Sequence, residues 1–466
     1  MSHKTKIINS VKKTLEEENA RILHDQQKEY GNLIKICDDF ELDLKLAMRL
    51  SIDILINENE LHVFQDRIRE EWQLKNFLKS QELKSPLHGT IQSTFFEKDI
   101  SYDYERTMPK KSIIDIEMLG KSADYSTILR SGMSSISMIF WYLSKVYKNY
   151  ISNIWFGMGY YETTQLIPQF RNFNFLIHNT EDTLNIFDDI ETSDIIMIEP
   201  ILANQTLMEL NIGELVKKIK HITDDKIRFL IIDSSFLGNT FELQSLVQEL
   251  KNKNIIIILV RSAMKLDQLG LELCQTGIIQ IYFLGETKGL QAITEAFFPN
   301  VSSKFGINLT FYDYCLLDNG ISFSLNDDYA KNLLSNARDC FIKLCQSIGE
   351  LHHHNLYFPK NINSPMIYMT LPTNTQEFYD DVIEIILKMG LEFGLNIMCR
   401  NSFGFRNIAV EWYKNISSDE YIFKISPGLL SGANQAVVIS TIKYLSSLTT
   451  IEIHKLANEF RKRILN

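Results

Sequence analysis

Three stretches of the sequence carry residue types that could act together at one chemical site. Lys265 comes shortly after the apolar run NIIIILV, and a lysine near the end of a buried strand can lose its proton through desolvation and become a nucleophilic amine. Asp233 ends the apolar run IRFLIID, and a carboxylate at the C-terminal tip of a central strand faces the crevice where ligands bind. The turn SGM at 131–133 lies between a strand pattern and a helix pattern, where free backbone N–H groups favour a phosphate.

Each stretch alone also has a structural explanation. Many strand–helix turns look alike, an aspartate at a strand end can cap a helix, and most lysines near strand ends are solvated. Pyridoxal phosphate (PLP), however, needs a phosphate site, a carboxylate that keeps its pyridine nitrogen protonated, and a lysine for its aldehyde. The combination predicts a PLP Schiff base on Lys265, with Asp233 at the ring nitrogen and Ser131, Gly132 and Met133 at the phosphate.

From residue 124 onward, short apolar runs alternate with amphipathic helical patterns. The segment DYSTILRSGMSSISMIFWYLSKVY predicts a strand, a turn and a helix. Further strands are predicted at 152–157, 174–177, 194–198, 226–233 and 255–260, with helices at 212–221 and 241–251. This alternation favours an α/β fold with a mostly parallel sheet covered by helices, in which ligands bind at the carboxyl ends of the strands.

Pattern changes divide the chain into three predicted parts: a helical N-terminal extension (1–85), a large PLP-binding α/β domain (86–300) and a smaller α+β C-terminal domain (301–466). The first 83 residues contain no proline and one glycine, and the segments 14–35 and 41–58 have heptad-like apolar spacing, which predicts helices. Such an extension would wrap the main body or a partner subunit, or would form an independent binding domain. The C-terminal part is predicted to contain a helix at 328–351, strands near 366–370 and 408–413, and a helix at 433–445.

The composition speaks against several classes of protein. The net charge is −10 and no long basic run is present, so we expect no nucleic-acid partner. The N-terminus has no secretory apolar region, and no run approaches the roughly 20 apolar residues of a membrane span. The six cysteines form no CxxC pair, which is typical of reduced thiols, so we expect a soluble cytoplasmic protein without membrane partners. We expect no metal at His352-His353-His354, since successive helix side chains point about 100° apart.

More motifs follow in a fixed order along the chain. PLHGTIQSTFF and the segment Tyr104-Glu105-Arg106 precede SGMSSIS, and YETT at 161–164, DIIMIEPILANQTLMEL, IIDSSF and RSAMKLDQLG come after it. SFGF at 402–405 and FKISPGLL lie near the end. From about residue 86 to the C-terminus, these motifs resemble the Cys/Met metabolism (trans-sulfuration) family of fold-type I PLP-dependent enzymes, which includes cystathionine γ-synthase, the cystathionine lyases and methionine γ-lyase.

The resemblance implies roles for further residues. Tyr161 would stack on the PLP ring and assist proton transfer to a leaving group, Asn204 would lie near the ring's 3′-oxygen, and Ser262 would bind the phosphate. Tyr104 and Arg106 would reach across a subunit interface to the neighbouring cofactor's phosphate. That contact would make the protein a homodimer or homotetramer with active sites shared between subunits.

Several positions depart from the family pattern. Met264 replaces a threonine that would add a hydrogen bond to the phosphate. Lys424 stands where an arginine clamps the α-carboxylate of the substrate, and lysine offers a point charge instead of a planar fork. Arg406, which closely follows the turn that begins at Ser402, either takes over this role or is a surface arginine. Ser402, Arg406 and Lys424 are therefore the candidate substrate-binding residues.

Together, these residues predict a PLP-dependent lyase or transferase that acts on an amino acid. The substrate amine would displace Lys265, which would then remove the Cα proton while the PLP ring stabilises the carbanion. The resemblance favours β- or γ-elimination, or γ-replacement, at a C–S or C–O bond. The residues leave two alternatives open, a PLP-dependent aminotransferase or decarboxylase and a catalytically impaired PLP-fold regulatory protein.

Overall fold

A computed structural model describes most of the chain. The described residues are 2–43, 58–83, 89–92, 99–102, 123–146, 153–157, 159–170, 174–177, 187, 190–204, 206–317, 326–348, 355–415 and 419–461. The predicted partner-subunit residues Tyr104 and Arg106, the histidines 352–354 and most of the predicted helix 41–58 lie outside them.

Helices and strands alternate through the middle of the described residues. Their α-helices are α1 (His3–Glu17), α2 (Asn19–Asp39), α3 (Glu58–Leu83), α4 (Gly132–Val146), α5 (Tyr161–Leu166), α6 (Ile212–His221), α7 (Leu243–Leu250), α8 (Gln291–Phe305), α9 (Phe311–Leu317), α10 (Asn326–Ile348), α11 (Gln376–Glu392), α12 (Ala433–Leu445) and α13 (Thr450–Arg461). Their strands are β1 (Gly89–Gln92), β2 (Asp99–Tyr102), β3 (Tyr125–Leu129), β4 (Asn153–Gly157), β5 (Asn174–Ile177), β6 (Ile195–Ile198), β7 (Arg228–Asp233), β8 (Ile255–Ser262), β9 (Gly277–Phe283), β10 (Asn355–Tyr357), β11 (Ile367–Thr370), β12 (Met398–Cys399), β13 (Ala409–Lys414) and β14 (Tyr421–Ser426).

A seven-stranded sheet forms the centre of the large α/β part. Its order is β3-β9-β8-β7-β6-β4-β5. The five strands from β8 to β5 are parallel, and β9 runs antiparallel to both of its neighbours. The predicted mostly parallel sheet is therefore confirmed, although β9 was not among the strands predicted from the sequence.

Helices cover both faces of this sheet, which explains why its inner strands are apolar at nearly every position. On β8, Ile256 and Ile258 belong to the core that α4 and α8 close, whereas Ile257 and Leu259 face the core closed by α6 and α7. All residues of β6, β7 and β9 are buried. Since successive strand residues point to opposite faces, a sheet covered twice needs an apolar residue at each position.

The C-terminal part contains a five-stranded sheet in the order β10-β11-β14-β13-β12. Its core is shared with α11, α12 and α13. The domain boundary predicted at residue 300 falls inside α8, so a division of the chain at that residue would cut a continuous helix.

The N-terminal helices pack onto the rest of the protein. Ile7 and Val11 of α1 belong to the same core as the C-terminal helices. Phe64 of α3 shares a core with Leu271 and Phe311 from the middle of the chain. This arrangement is the covering role that the sequence pattern offered as one of its alternatives. Within the described ranges, none of the helices combines the length and the apolarity that crossing a bilayer requires.

One buried ion pair in the C-terminal sheet yields a stability prediction. Glu411 and Lys424 are directly opposite on β13 and β14, and their side chains are in contact. Lys424→Met should lower the free energy of unfolding by about 3–5 kcal/mol, because it leaves the Glu411 carboxylate buried without its cation.

The double variant Glu411→Leu/Lys424→Met should regain most of that loss, since an apolar pair carries no buried charge. Urea unfolding of the four proteins measures both effects. A double variant as unstable as Lys424→Met would contradict this account.

Candidate active site

A cavity of about 350 Å³ opens where β7 and β8 end. This is the carboxyl edge of the parallel strands, where ligands of such sheets bind. Eight of the residues singled out in the sequence line it: Ser131, Gly132, Met133, Asp233, Ser262, Met264, Lys265 and Ser402. These residues span more than half of the chain, so the fold brings them together.

One end of the cavity is formed by the start of α4. The Ser131 hydroxyl accepts a hydrogen bond from the N–H of Ser134 at 3.0 Å, which caps the helix. The N–H groups of the first turn, at Gly132 and Met133, have no acceptor within the helix. A Cβ at position 132 would lie 3.1 Å from the Cβ of Ser262. Glycine therefore lets the helix start approach β8 closely, and this end of the cavity suits an anion.

Asp233 supplies a buried carboxylate in the middle of the cavity. Its Oδ1 accepts a hydrogen bond from the N–H of Ser235 at 2.9 Å. Burial raises the pKa of the carboxyl above its ordinary value, although the hydrogen bonds from Ser235 oppose this effect. A cationic group of a bound molecule would stabilise the ionised carboxylate at this position.

Lys265 lies on the loop between β8 and β9. Its Nζ donates a hydrogen bond to the Ser402 hydroxyl and lies 5.5 Å from the centre of the Phe403 ring. Burial lowers the pKa of the ammonium, and the carboxylates of Glu272 and Glu162 partly offset this. The surroundings therefore favour the neutral, nucleophilic amine more than water does.

Among the cavity residues that the sequence analysis did not assign to the site are Tyr160, Glu162 and Glu199. The Tyr160 hydroxyl donates to Glu162 Oε2 at 2.7 Å. Glu199 accepts from three backbone N–H groups, those of residues 159, 160 and 203, at 3.0–3.1 Å. Burial, followed by the charge of Asp233, raises the pKa of Glu199 to about 8. Glu199 could have been found by the reasoning used for Asp233, because it directly follows the apolar strand β6.

Tyr161, the tyrosine predicted to stack on a cofactor ring, differs from its neighbour in its position relative to the cavity. Tyr161 is 53% exposed and does not line the cavity, whereas Tyr160 does. Tyr161 is the first residue of α5 and faces solvent, while the preceding residue, in extended conformation, faces inward. Tyr160 is therefore, with Phe236 and Phe403, one of the aromatic residues that line the cavity.

Three other predicted site residues also lie outside the cavity lining. The side-chain oxygen of Asn204 accepts hydrogen bonds from the N–H groups of Thr206 and Met208, at 3.2 Å each, and so stabilises a turn. Arg406 is only 3% exposed and is neither a surface arginine nor a cavity residue. Its guanidinium pairs with Glu29, with Nη2 2.9 Å from Oε2. Lys424 is engaged by Glu411.

No protein-family model matches the chain, and no curated protein matches it in sequence. Solved structures match it in fold. A cystathionine gamma-synthase from Xanthomonas oryzae pv. oryzae, in complex with aminoacrylate and cysteine, has a TM-score of 0.54 at 11% identity over 76% of this chain and 91% of that one. A cystathionine gamma-lyase from Lactobacillus plantarum complexed with L-serine has a TM-score of 0.52 at 15% identity over 74% and 88%. An apo methionine gamma-lyase from Micromonospora echinospora has a TM-score of 0.54 at 12% identity over 77% and 92%. These likenesses confirm the predicted α/β fold of PLP-dependent fold type I.

Gly404 offers a direct test of how tightly Lys265 is held. Its φ is +84°, and a Cβ there would overlap the carbonyl oxygen of Lys265. Gly394 also has a left-handed φ, +68°, but a Cβ there would meet no atom within 4 Å. Both alanine variants should lose about 1–2 kcal/mol of unfolding free energy through the backbone conformation. Gly404→Ala should lose more unfolding free energy than Gly394→Ala. It should also change the rate at which an amine-reactive reagent labels Lys265.

Labelling of the peptide that contains Lys265, measured by mass spectrometry beside urea unfolding, separates the two effects. Equal losses of stability and equal labelling rates in the two variants would show that Gly404 does not constrain the lysine.

Proposed function

We propose that this protein is a PLP-dependent enzyme that holds its cofactor on Lys265 and acts on an amino acid by β- or γ-elimination, or by γ-replacement, at a C–S or C–O bond. The observation that carries the proposal is the meeting of Lys265, the buried Asp233 and the start of α4 in one cavity at the carboxyl edge of the sheet. The fold is shared with structures of a cystathionine gamma-synthase, a cystathionine gamma-lyase and a methionine gamma-lyase, and this supports elimination or replacement.

The residues of the cavity fit PLP. Burial raises the pKa of Asp233, and the protonated pyridine nitrogen would supply the cation that lets this carboxylate ionise. The first-turn N–H groups of Gly132 and Met133, with the hydroxyl of Ser262, would hold the phosphate. Lys265 would bind the aldehyde. When bound, PLP supplies an electron sink for the bond that breaks at the substrate's Cα.

Within the reaction, the side chains of this chain move and hold protons. Lys265 Nζ would take the proton from the substrate's Cα, and the Ser402 hydroxyl, to which Nζ donates, would orient the amine. Burial and the neighbouring Glu162 raise the pKa of the Tyr160 hydroxyl, so it stays protonated at neutral pH. Because Tyr160 lines the cavity and Tyr161 does not, Tyr160 is the proposed proton donor to a leaving group.

In the part of the site that the structure describes, polar groups would bind the substrate's carboxylate, and no unpaired guanidinium is available for this contact. Arg406 and Lys424 are each paired with a carboxylate. The side chains of Asn401 and Ser402 line the cavity and are the proposed contacts. Tyr104 and Arg106 of a neighbouring subunit stay predicted contacts of the cofactor phosphate, and with them the shared active sites of a homodimer or homotetramer.

The attachment site can be tested directly. Added PLP should produce a violet-edge absorbance band and, after borohydride reduction, a covalent adduct on the peptide that contains Lys265. Lys265→Ala should lose the band and the adduct, whereas Lys217→Ala, a change at an exposed lysine of α6, should keep both. The same yield of adduct in Lys265→Ala, or none in the unmodified protein, would refute the proposal.

The type of reaction can be determined from the products that are formed. A panel of amino acids should yield a 2-oxo acid and ammonia if elimination occurs. Transfer of the amino group to an added oxo acid would instead show that the protein is an aminotransferase.

The charge of Glu162 should contribute to the pH dependence of the reaction of Lys265, beside burial and Glu272. The Glu162 carboxylate raises the pKa of Lys265 against the larger, lowering effect of burial. Glu162→Gln removes that charge and should shift the pH profile of adduct formation to lower pH, because the neutral amine then forms at lower pH. Glu214→Gln, at an exposed position of α6, should leave the profile unchanged. A profile that stays in place or moves to higher pH in Glu162→Gln would contradict the assignment.

A further inference from the structure

We propose that Glu29, on the N-terminal helix α2, is a positioning residue that sets the geometry of the Lys265 loop through Arg406. This inference depends on the proposed function only in the role that the proposed function gives to Lys265. The link between the helix and the loop rests on contacts that the structure describes. It gives the N-terminal helices a task in the active site beyond covering a surface.

The loop that carries Lys265, residues 263–276, has a backbone that must be held in place. Leu269, Gly270 and Glu272 have φ values of 55°, 72° and 48°. This is the left-handed region, which glycine adopts readily and which leucine and glutamate avoid. Such conformations persist where the surrounding structure determines them. Contacts within the loop, between Gln268 and Cys274, hold part of it, and the left-handed segment also receives contacts from outside the loop.

Those contacts come from the N-terminal helices and from Arg406. The guanidinium of Arg406 donates to the carbonyl oxygen of Leu269 at 2.8 Å. The side-chain amide of Gln65, on α3, donates to the carbonyl oxygen of Gly270 at 3.2 Å. Two consecutive carbonyl groups of the left-handed segment are thus held by side chains distant in sequence.

Arg406 is in turn oriented by Glu29. The two side chains are buried, and the carboxylate receives hydrogen bonds from Nε and Nη2 of the guanidinium. A pair of this kind fixes the plane of the guanidinium, because both of its parallel N–H groups must point at the carboxylate. With that plane fixed, Nη1 points at Leu269.

The same arginine is also linked to the segment 402–406, of which Ser402 and Phe403 line the cavity. Its guanidinium lies 5.5 Å from the centre of the Tyr329 ring, and the Tyr329 hydroxyl donates to the carbonyl oxygen of Gly404 at 2.7 Å. Gly404 packs against the backbone of Lys265, and Ser402 accepts the hydrogen bond from its Nζ. Glu29 therefore acts on the lysine from both sides, through its loop and through the segment 402–406.

A covering helix would not need this ion pair. Apolar residues of similar volume stabilise a buried contact as well as a buried ion pair does, because both charges lose their hydration. What the ion pair adds is a fixed orientation of the Arg406 guanidinium. This favours positioning over stability as the role of Glu29.

The test compares Glu29→Gln, which keeps the shape but removes the charge, with Lys4→Met. Lys4 forms an ion pair with Glu392, at 3.0 Å, that also ties the N-terminal helices to the body but touches no residue of 263–276. Gln65→Leu, which removes the donor to Gly270, provides a second variant if Glu29→Gln folds poorly. Thermal unfolding checks the folding of each protein.

Two readouts are measured on each full-length protein. Without cofactor, hydrogen–deuterium exchange across 263–276 should be faster in Glu29→Gln and in Gln65→Leu than in the unmodified protein. In Lys4→Met, the exchange rate of this segment should equal that of the unmodified protein. The rate of PLP adduct formation on Lys265 should fall by about 10- to 100-fold in Glu29→Gln, in line with the effect of a small misplacement of a reacting group, and should be unchanged in Lys4→Met.

Exchange and adduct rates in Glu29→Gln that equal those of the unmodified protein would overturn the inference. So would equal effects in Glu29→Gln and Lys4→Met, since these would indicate general loosening. If the unmodified protein forms no adduct with PLP, the proposed function fails, and the exchange data alone decide on Glu29. Faster exchange confined to the loop would then sustain its positioning role.

Discussion

The parallel pairing of β7 with β8 is the constraint on which the site depends. Asp233 is paired with Val260, so β7 ends two residues before β8 ends at Ser262. Lys265 follows β8 by a few residues and lines the same cavity as Asp233. The start of α4 reaches the same place because β9 lies between β3 and β8, which brings Ser131 next to Gly277. A shift of one residue in the register of β7 would turn the Asp233 side chain to the opposite face of the sheet.

Burial is the common cause of the electrostatics in this cavity. It raises the pKa of Asp233 and Glu199 and lowers that of Lys265, so every one of these groups is pushed toward its neutral form. For Glu199, burial outweighs three hydrogen bonds from backbone N–H groups that favour the carboxylate. A site of this kind is poised for a ligand that brings its own charges. A cation beside Asp233 would reverse the shift at that residue, while the lowered pKa of Lys265 keeps its amine available for a carbonyl group.

Local patterns in the sequence were sufficient to predict the helices and strands that such patterns mark directly. The alternation of apolar runs and amphipathic helices gave the fold class, since a sheet covered on both faces is apolar at nearly every position. Asp233 and Lys265 could be predicted in the same way, because each is a charged residue at or shortly after the end of an apolar strand. Strand β9 was missed because its apolar run, broken by Gln280, comes directly after an irregular loop. The helices α1 and α2 are separated at Glu18, and no proline or glycine marks that break.

What the sequence could not predict were the partners that distant segments supply. Tyr160 and Tyr161 are adjacent tyrosines, and only the start of α5 decides which ring faces the cavity. Arg406 has the charge for a substrate carboxylate, yet that charge is committed to Glu29, which lies 377 positions earlier in the chain. Sequence spacing contains no information about such a pair, because tertiary packing alone brings α2 to the segment after Gly404. Arg406, which the sequence analysis offered as a substitute for Lys424 in substrate binding, instead contacts the loop that carries Lys265. The cationic side chains that do line the described part of the cavity are Lys265 and Arg261, and Arg261 is paired with Asp267.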